Sequence, residues 1–567
     1  MRKKRFFALV LALILIISFS GCRNRDDENN PGEPDITEDD RLVIYHNNTE
    51  LAPMLMALAE EYSSKTGKNL SAQLAGNDFM GEMGSSGAAI YVVDTHSDLS
   101  GWHSDGLLSD LLNGSGFSSS VSMIPSGLQL NQNGIGSYGI PLMLEGYGYI
   151  FDKAMLRDLF GTSAEALADD LRTCSFTEFE GFVAAVDTYI SAPSAMAVTV
   201  GGNQYTFAAE KTGKAMNLTG VFSLNHESTR VMEHLLSTGL AAKFAGRYEV
   251  MSADENAVSG LENIASAYME ALDLHTSYIA GAKGSIGRGD EFTGGDYNYS
   301  TSVDLFTKGY ALFYPGGTSD AADFEKSSEG FGKELDIIPM KLPLSDEDIT
   351  AAGMTAEKLQ SSIVIGSRYY LALNPKADEK LASAAKDFIN WLHDDEAGKT
   401  AYSNAFGGVP FNFGYGENNN SSAEGDSPAD NAESEAVSSE DSAPSKDTAP
   451  SGTGEENKSG AENENSSGVD VPSAPEAENN TSGMNKVPSH SISNSLDAAV
   501  AEYYASGNWI PDMASALPGD YIEKILGGSL KDFWGMETWA DADRKNFVDT
   551  IIGGWKERLD KDNAAVG

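Results

Sequence analysis

Strand-like and helix-like stretches alternate along most of the chain, and few folds accommodate that pattern. Leu42 to Tyr45 form a β-branched and aromatic run, and a helical pattern of apolar residues follows until Gly67. Residues 88–95, AAIYVVDT, carry consecutive apolar side chains, as in a strand that is buried on both faces. The alternation predicts an α/β architecture with largely parallel sheets and helices on both faces.

Three further stretches of the sequence predict helices and strands. Ser175 and Glu178 stand at capping-box spacing before an amphipathic stretch, which predicts the start of a helix. Residues 303–317, VDLFTKGYALFYPGG, predict a helix that ends at Gly309, a strand from Tyr310 to Tyr314 and a tight turn. Residues 361–375, SSIVIGSRYYLALNP, have strand character, and an amphipathic helix is expected next.

The first residues have the pattern of an export signal. Four basic residues precede the apolar run from Phe6 to Phe19, which is shorter than the roughly twenty residues of a spanning helix. Ser20-Gly21-Cys22 then resembles the lipobox of bacterial lipoproteins, which implies that Cys22 is acylated and becomes the first residue of the mature protein. We expect a protein tethered by lipid to the outer face of the cell membrane. An ordinary signal, or an uncleaved anchor with an incidental Cys, is the alternative.

Charge and cysteine content exclude several classes. The formal net charge of -45 repels phosphates, so nucleic-acid binding is not expected. The chain has two Cys, and lipidation of Cys22 would leave Cys174 without a partner, so the fold does not rely on disulfides. Nothing in the sequence calls for a cofactor.

Two polar stretches interrupt the globular pattern. Residues 22–40 form a flexible spacer, and residues 417–486 form an acidic insert without aromatic residues that we expect to be disordered. Helical and aromatic patterning resumes at about Ser493, so the insert interrupts a fold that continues after it. A linker to a separate small domain is the alternative.

Four segments resemble, in order, motifs of extracellular solute-binding proteins of the maltose-binding type. They are GIPLMLEGYGYIFDKAML (139–156), SFTEFEGFVAAV (175–186), FTKGYALFYPGG (306–317) and AAKDFINWLHDDEAGKTAYSNAFGGVPF (384–411). The resemblance implies a two-lobed periplasmic-binding-protein-like fold (type II), with hinge strands between the lobes and the ligand in the interlobe cleft.

The resemblance also suggests the domain boundaries. The predicted segments are a signal peptide (1–21), the spacer (22–40), an N-terminal lobe (41–144 with 341–404), a C-terminal lobe (145–340 with 405–416 and 487–567) and the insert (417–486).

Candidate ligand-binding residues follow the predicted strands or offer flat apolar faces. They are Asn47, Asn48, Asp94, His96, Trp102, Glu145, Tyr147, Tyr205, Phe207, Gly316, Thr318 and Trp509. Glu145 matches the crossing-segment carboxylate that contacts sugar in the maltose-binding branch. The alternatives are an interlobe salt bridge for Glu145, a helix cap for Asp94 and core packing for Trp102, Tyr205 and Phe207.

Three other sequence patterns are weaker evidence for a function. GIGSYG, residues 134–139, fits a dinucleotide-binding loop, but the strand-like residues after it do not fit the helix that such a loop needs. His96 and His103, with Asp98 and Asp105, match no standard zinc spacing, so no metal is expected. The tripeptide 288–290, Arg-Gly-Asp, is adhesion-like but lies in a Gly-rich loop that produces such triplets by chance.

The expected function is a binding component of an ABC import system, which takes up a sugar and delivers it to membrane permease subunits. We expect a monomer without enzymatic activity. The alternatives are a binding protein for a polyamine or a metal, a surface sensor, and a glycan hydrolase that uses Glu145 with a second carboxylate.

Overall fold

The computed structural model describes residues 41–49, 51–76, 78–94, 106–111, 116–122, 124–132, 135–142, 144–227, 230–294, 296–328, 331, 334–367, 369–406, 493–517 and 519–566. The predicted signal peptide with Cys22, the spacer and the acidic insert lie outside these residues.

The described part of the chain contains sixteen strands. They are β1 (Leu42–His46), β2 (Leu70–Leu74), β3 (Ile90–Asp94), β4 (Leu130–Gln132), β5 (Ile135–Pro141), β6 (Glu145–Asp152), β7 (Ala197–Val200), β8 (Asn203–Thr206), β9 (Gly220–Phe222), β10 (Ile279–Gly281), β11 (Gly284–Ile286), β12 (Ala311–Gly317), β13 (Leu335–Ile338), β14 (Ile363–Gly366), β15 (Tyr369–Leu373) and β16 (Trp509–Pro511).

Twenty α-helices accompany these strands. They are α1 (Ala52–Thr66), α2 (Phe79–Met83), α3 (Ser119–Ser122), α4 (Lys153–Phe160), α5 (Ala164–Thr173), α6 (Phe176–Ser191), α7 (Arg230–Leu240), α8 (Arg247–Met251), α9 (Glu255–Ser259), α10 (Glu262–Ser277), α11 (Asp290–Gly294), α12 (Tyr299–Thr307), α13 (Ala321–Ser327), α14 (Ala356–Gln360), α15 (Glu379–Asp394), α16 (Glu396–Phe406), α17 (Ser493–Ser506), α18 (Gly519–Tyr521), α19 (Gly527–Gly535) and α20 (Asp541–Val566).

Local signals explain where the predicted helices begin and end. Helix α1 ends at Gly67, which takes a left-handed conformation with φ of 70°. Helix α6 begins with the predicted capping box, in which the Ser175 side chain accepts from the Glu178 backbone and the Glu178 carboxylate accepts from the Ser175 backbone. The sequence predictions for both helices are confirmed.

The first sheet has six strands in the order β2-β1-β3-β15-β5-β4. The strands β1, β2 and β3 are parallel, whereas β15 is antiparallel to both β3 and β5. Helices α1, α15 and α16 pack beside it, and the Tyr62 ring lies 5.0 Å from the Trp391 ring there. We call this sheet with its helices the first lobe.

The second sheet follows the order β11-β10-β9-β12-β6-β14-β16, with β13 also paired to β6. Strand β6 is buried along its whole length and is antiparallel to β12, β13 and β14. On one face, the rings of Tyr149, Phe179, Phe222 and Phe313 have centroids 5.0 to 6.4 Å apart. We call this sheet with its helices, including α17 to α20, the second lobe.

The α/β prediction is confirmed, but the prediction of largely parallel sheets is wrong. The chain passes from β5 to β6 through residues 142–144 and returns from β14 to β15 through residues 367–368. Strand β6 is antiparallel to its neighbours β12, β13 and β14, and β15 is antiparallel to β3 and β5, so both sheets are mixed.

Residues 363–366 belong to the second sheet, and the chain rejoins the first sheet only at Tyr369. The return crossing is therefore later than residue 341, where the sequence suggested the boundary. The apolar run of residues 361–375 contains two strands of different sheets, which their similar composition does not distinguish.

The predicted tight turn after Tyr314 is also wrong. Strand β12 continues through Pro315 to Gly317, and Gly317 stands directly opposite Tyr147 on β6. A Cβ atom at Gly317 would lie 2.6 Å from the Tyr147 ring. Glycine is therefore required here to make room for a ring and not to form a turn.

Gly146 provides a test of how β6 is packed. A Cβ atom at Gly146 would lie 2.3 Å from a methyl carbon of Val500 on α17. We expect Gly146→Ala to lower the free energy of unfolding by about 1–3 kcal/mol because α17 must shift. Chemical denaturation measures this change.

Gly181→Ala is the matched control. Gly181 lies within α6 and has open space where a Cβ atom would stand, so the variant should gain up to about 1 kcal/mol from helix propensity. Equal effects of the two variants would contradict the tight packing of α17 on β6.

Candidate functional site

The polar ends of several strands meet at one edge of the first sheet. Strands β1 and β3 end there at His46 and Asp94, and the antiparallel β15 begins there at Tyr369, which is paired with Asp94. Asn47 and Asn48 follow β1 directly. In open α/β sheets, ligands bind at this kind of edge.

Asn48 ties this edge together. Its Nδ2 donates to the Tyr369 hydroxyl oxygen at 2.6 Å, and its Oδ1 accepts from the Leu51 backbone N–H at 3.0 Å. The loop after β1 is therefore fixed to β15 on one side and to the start of α1 on the other.

His46 is buried at the same edge. Within the described part of the chain, neither of its ring nitrogens has a hydrogen-bond partner. Burial lowers the pKa of His46, partly opposed by the Asn48 backbone, so the imidazole is neutral at pH 7. A neutral, buried imidazole offers one donor and one acceptor to a polar group that reaches it.

The second sheet presents a matching edge. Strand β6 begins there at Glu145, while β12, β14 and β16 end there at Gly317, Gly366 and Pro511. Because residues 142–144 and 367–368 connect the two edges directly, both edges lie beside the interlobe crossings.

Glu145 and Tyr147 project from the same face of β6 and form a pair. The Tyr147 hydroxyl donates to a Glu145 carboxylate oxygen, and the Gly146 backbone N–H donates to Thr318 Oγ1 at 3.3 Å. Both Glu145 and Tyr147 are buried. The Glu145 carboxylate is therefore positioned at the very start of the crossing strand.

Tyr147 in turn stacks on His234 of α7. Their ring centroids are 3.3 Å apart, and the ring planes differ by 16°. His234 therefore covers one face of the Tyr147 ring, while the Tyr147 hydroxyl holds the Glu145 carboxylate.

Asp512 lies at one end of this edge, directly after the outermost strand β16. It accepts a hydrogen bond from Ser237 Oγ at 2.7 Å, and His234 Nδ1 lies 3.6 Å from the same oxygen. Burial alone would raise the pKa of Asp512, but His234, Ser237 and the Arg247 charge outweigh it and hold the pKa far below its usual range. The side chain is therefore an anion at neutral pH.

Arg247 extends from α8 beside this anion. Its Nη1 donates to the Tyr370 hydroxyl oxygen at 3.3 Å, and its Nη2 donates to the Ser515 carbonyl at 3.5 Å. Tyr370 belongs to β15, so this contact joins the two lobes.

The structure brings most of the predicted residues to these edges. Those at the first edge are Asn47, Asn48 and Asp94, and those at the second edge are Glu145, Tyr147, Gly316 and Thr318. His96 and Trp102 lie outside the described residues, as does Cys22.

The structure does not bring three predicted residues to either edge. Trp509 begins β16 at the end of that strand away from the edge and stacks on Tyr504 at 5.6 Å. Tyr205 donates to Asp170 at 2.5 Å, and the Phe207 ring lies 4.7 Å from that of Tyr189. Both Tyr205 and Phe207 are buried in the second-lobe core, where their large apolar surface is removed from water.

Sequence reasoning missed His234, Arg247, Asp512, Tyr369 and Tyr370. Asp512 alone had a local signal, because it follows a proline that ends an apolar strand in NWIPDM. His234 and Arg247 lie on helices whose sequences give no sign of which side chains reach the sheet edge.

The patterns that the sequence analysis set aside have structural explanations. Residues 135–139 of GIGSYG belong to strand β5 and not to a loop before a helix. Arg288 of the Arg-Gly-Asp tripeptide is directed inward, donates to Asp273 and lies 4.6 Å over the Phe533 ring. Within the described ranges no group of three or more His, Cys, Asp or Glu side chains could hold a metal ion, and the His96 to Asp105 pattern lies outside them.

No helix in the described part of the chain is long and apolar enough to span a bilayer.

The chain resembles known proteins in sequence and in fold. A family model described as bacterial extracellular solute-binding protein matches residues 63–429. The apo form of RafE from Streptococcus pneumoniae has a TM-score of 0.51 at 11% identity, covering 91% of this chain and 98% of that chain. This likeness shows the fold. A search of curated proteins found no match.

Two further solved structures have lower scores. RafE in complex with raffinose has a TM-score of 0.48 at 11% identity, covering 91% of this chain and 99% of that chain. A Streptococcus pneumoniae solute-binding protein in complex with the blood group A-trisaccharide has a TM-score of 0.44 at 12% identity, with coverage of 91% and 99%.

The depressed pKa of Asp512 gives a testable pH dependence. Because its pKa is lower in the folded state than in the unfolded state, Asp512 contributes stability above about pH 4, the unfolded value, and loses it as the pH falls towards the folded pKa. We expect Asp512→Asn to lower the free energy of unfolding by about 3 kcal/mol at pH 7. Urea denaturation from pH 7 to pH 3 should show the gap to the unmodified protein closing below pH 4.

Asp520→Asn is the matched control. Asp520 forms an ion pair with Arg558 at 2.6 Å in which both side chains are more than a third exposed, so its loss should change stability by less than about 1 kcal/mol. A gap for Asp512→Asn that stays constant with pH would contradict the buried anion.

Proposed function

Because this chain belongs to the bacterial extracellular solute-binding proteins, we propose that it binds an oligosaccharide between its two sheet edges and delivers it to the membrane permease subunits of an ABC import system.

One observation carries this proposal: fixed polar groups stand at both edges, beside the segments that connect them. The first edge offers Asn48 and the buried His46, and the second offers Glu145 and Thr318. A solute that contacts both edges binds the closed arrangement better than the open one, so it drives closure.

The choice of an oligosaccharide rests on two further points. The motifs that resemble maltose-type proteins place Glu145 at the crossing segment, where the structure has it. RafE, whose apo form shares this fold, has also been solved in complex with raffinose. A polyamine or metal ligand, or a sensory role on the same fold, is the alternative.

The family is a class of solute-binding proteins, and we propose that this member performs no chemistry on its ligand. A glycan hydrolase would need an acid paired with a second carboxylate about 5 to 9 Å away.

Calorimetry tests the binding proposal. We expect raffinose or a related oligosaccharide to bind with one-to-one stoichiometry and to remain intact, so that reducing ends do not increase over hours. Reducing ends that accumulate would support the hydrolase instead. A thermal midpoint raised by spermidine or a metal but by no sugar would overturn the choice of ligand.

Glu145→Gln localises the site. The change keeps the side-chain shape and an acceptor for Tyr147 but removes the charge, so we expect the affinity for the sugar to fall at least about tenfold without loss of fold. Glu165→Gln, at an exposed position on α5, is the control that should bind normally. If Glu145→Gln binds the sugar as tightly as the unmodified protein does, Glu145 is not part of the site.

We also propose that acylation of Cys22 holds the protein on the outer face of the cell membrane. Two or more acyl chains at about 0.8 kcal/mol per buried CH₂ would give stable attachment. We expect Cys22→Ser to move the protein from the membrane fraction to the soluble extracellular fraction, measured by immunoblotting after fractionation. Unchanged membrane association would rule out this anchor.

A further inference from the structure

Side chains of the second lobe hold both ends of the return crossing at residues 367–368. At the start of the crossing, Gly366 lies against Asp512, and a Cβ atom at Gly366 would stand 2.7 Å from the Asp512 Cβ. At its end, Tyr370 accepts a hydrogen bond from Arg247 at 3.3 Å. The first contact lies within the second lobe at the start of the crossing, and the second contact reaches the first lobe just after it.

Arg247 is itself held in place. Its guanidinium donates to the Ser515 carbonyl at 3.5 Å and lies near enough to Asp512 to lower the pKa of that carboxyl. Asp512 accepts from Ser237, and the Ser237 hydroxyl oxygen accepts from the Ala514 backbone at 2.8 Å. The guanidinium therefore moves with the turn at residues 512–516.

The partner on the first lobe is equally fixed. Tyr370 is 2% exposed and stands in the middle of the first sheet, opposite Val93 of β3 and Pro141 of β5. Arg247 is 7% exposed. A hydrogen bond between two rigidly held and buried groups tolerates little rotation, because its strength falls steeply with distance and angle.

We propose that Arg247 is a positioning residue that, through Tyr370, sets the resting angle between the lobes and so the population of molecules ready to bind solute. The contact lies within four residues of the crossing, where a hinge rotation moves atoms least. The Arg247–Tyr370 contact therefore stiffens the hinge. It does not hold the two lobes together at the side of the cleft away from the hinge. This inference goes beyond the proposed function, because it does not depend on which solute is bound.

The consequence for binding is quantitative. The apparent dissociation constant equals the intrinsic constant divided by the fraction of competent molecules. A hydrogen bond from a charged donor that is lost from the competent form should weaken apparent binding about tenfold. The change should occur mainly in the association step, because the solute contacts themselves are intact.

Distance measurements between spin labels test the resting angle without any solute. The labels are placed at Met56→Cys on α1 and Met216→Cys on the second lobe, which are 61% and 68% exposed, in a full chain that also carries Cys22→Ser. Cys174 is buried and should not react with the label. We expect Tyr370→Phe to broaden the distance distribution and move it to longer values.

Arg247→Gln should have the same effect on the distances, and the double variant should show no further change in them, because both changes remove the same hydrogen bond between the lobes. Tyr91→Phe is the matched control. Tyr91 lies on β3 of the same sheet and donates to the Met83 carbonyl at 2.7 Å within the first lobe, so its loss should lower the thermal midpoint and leave the distances unchanged.

Two results would overturn the proposal. If Tyr370→Phe lowers the thermal midpoint as Tyr91→Phe does and leaves the distances unchanged, the contact only stabilises the fold. Effects of the two single variants that add would show that the residues act separately. If the unmodified protein binds no sugar, the proposed function fails, while the distances still decide this inference.

Discussion

The structure depends on one buried strand, β6, which begins where the chain crosses from the first lobe to the second. Strand β6 begins at the crossing and pairs with β12 on one side and with β14 and β13 on the other. Glu145, Tyr147 and Tyr149 extend along one face, whereas Gly146 and Gly148 leave the other face flat for α17 and β13. The same strand thus supplies a site carboxylate, its tyrosine partner and the packing surface of the hinge.

Electrostatics at the second edge follow from this geometry. A buried carboxylate is costly unless it is paired and hydrogen-bonded. Asp512 accepts a hydrogen bond from Ser237 and lies beside His234 and Arg247, and these groups together hold the pKa of the carboxyl low. The first edge is different, since its buried imidazole at His46 is neutral and its amide at Asn48 is held by Tyr369. The two edges therefore differ in charge and in hydrogen-bonding groups.

Local patterns in the sequence were enough to predict the elements, because helix stops and capping boxes act within a few residues. Gly67 and the Ser175 capping box are examples. The sheet assignment of residues 363–373 was not predictable in this way, since both strands are apolar and the choice between sheets is made by distant partners. Similarly, Gly317 has a turn-like sequence but serves the Tyr147 ring across the sheet.

The positions of the candidate residues were predictable in part for the same reason. Glu145 and Asn48 follow from motif resemblance and strand ends, whereas Arg247 and His234 depend on how helices pack, which spacing alone does not reveal. The aromatic residues Tyr205 and Phe207 have the side chains that a sugar site uses, but their surface fills the core. Residue type identifies possible contacts, and tertiary packing decides among them.

The pairing of β14 with β16 has a consequence for biosynthesis. Ile363 pairs with Trp509, and Asp512 follows that strand, so the second edge lacks Asp512 until about nine tenths of the polypeptide has been made. Long-range pairing of this kind forms late. A chain that ended before residue 509 would leave one side of β14 unpaired, so the second sheet is complete only when the last part of the polypeptide has been made.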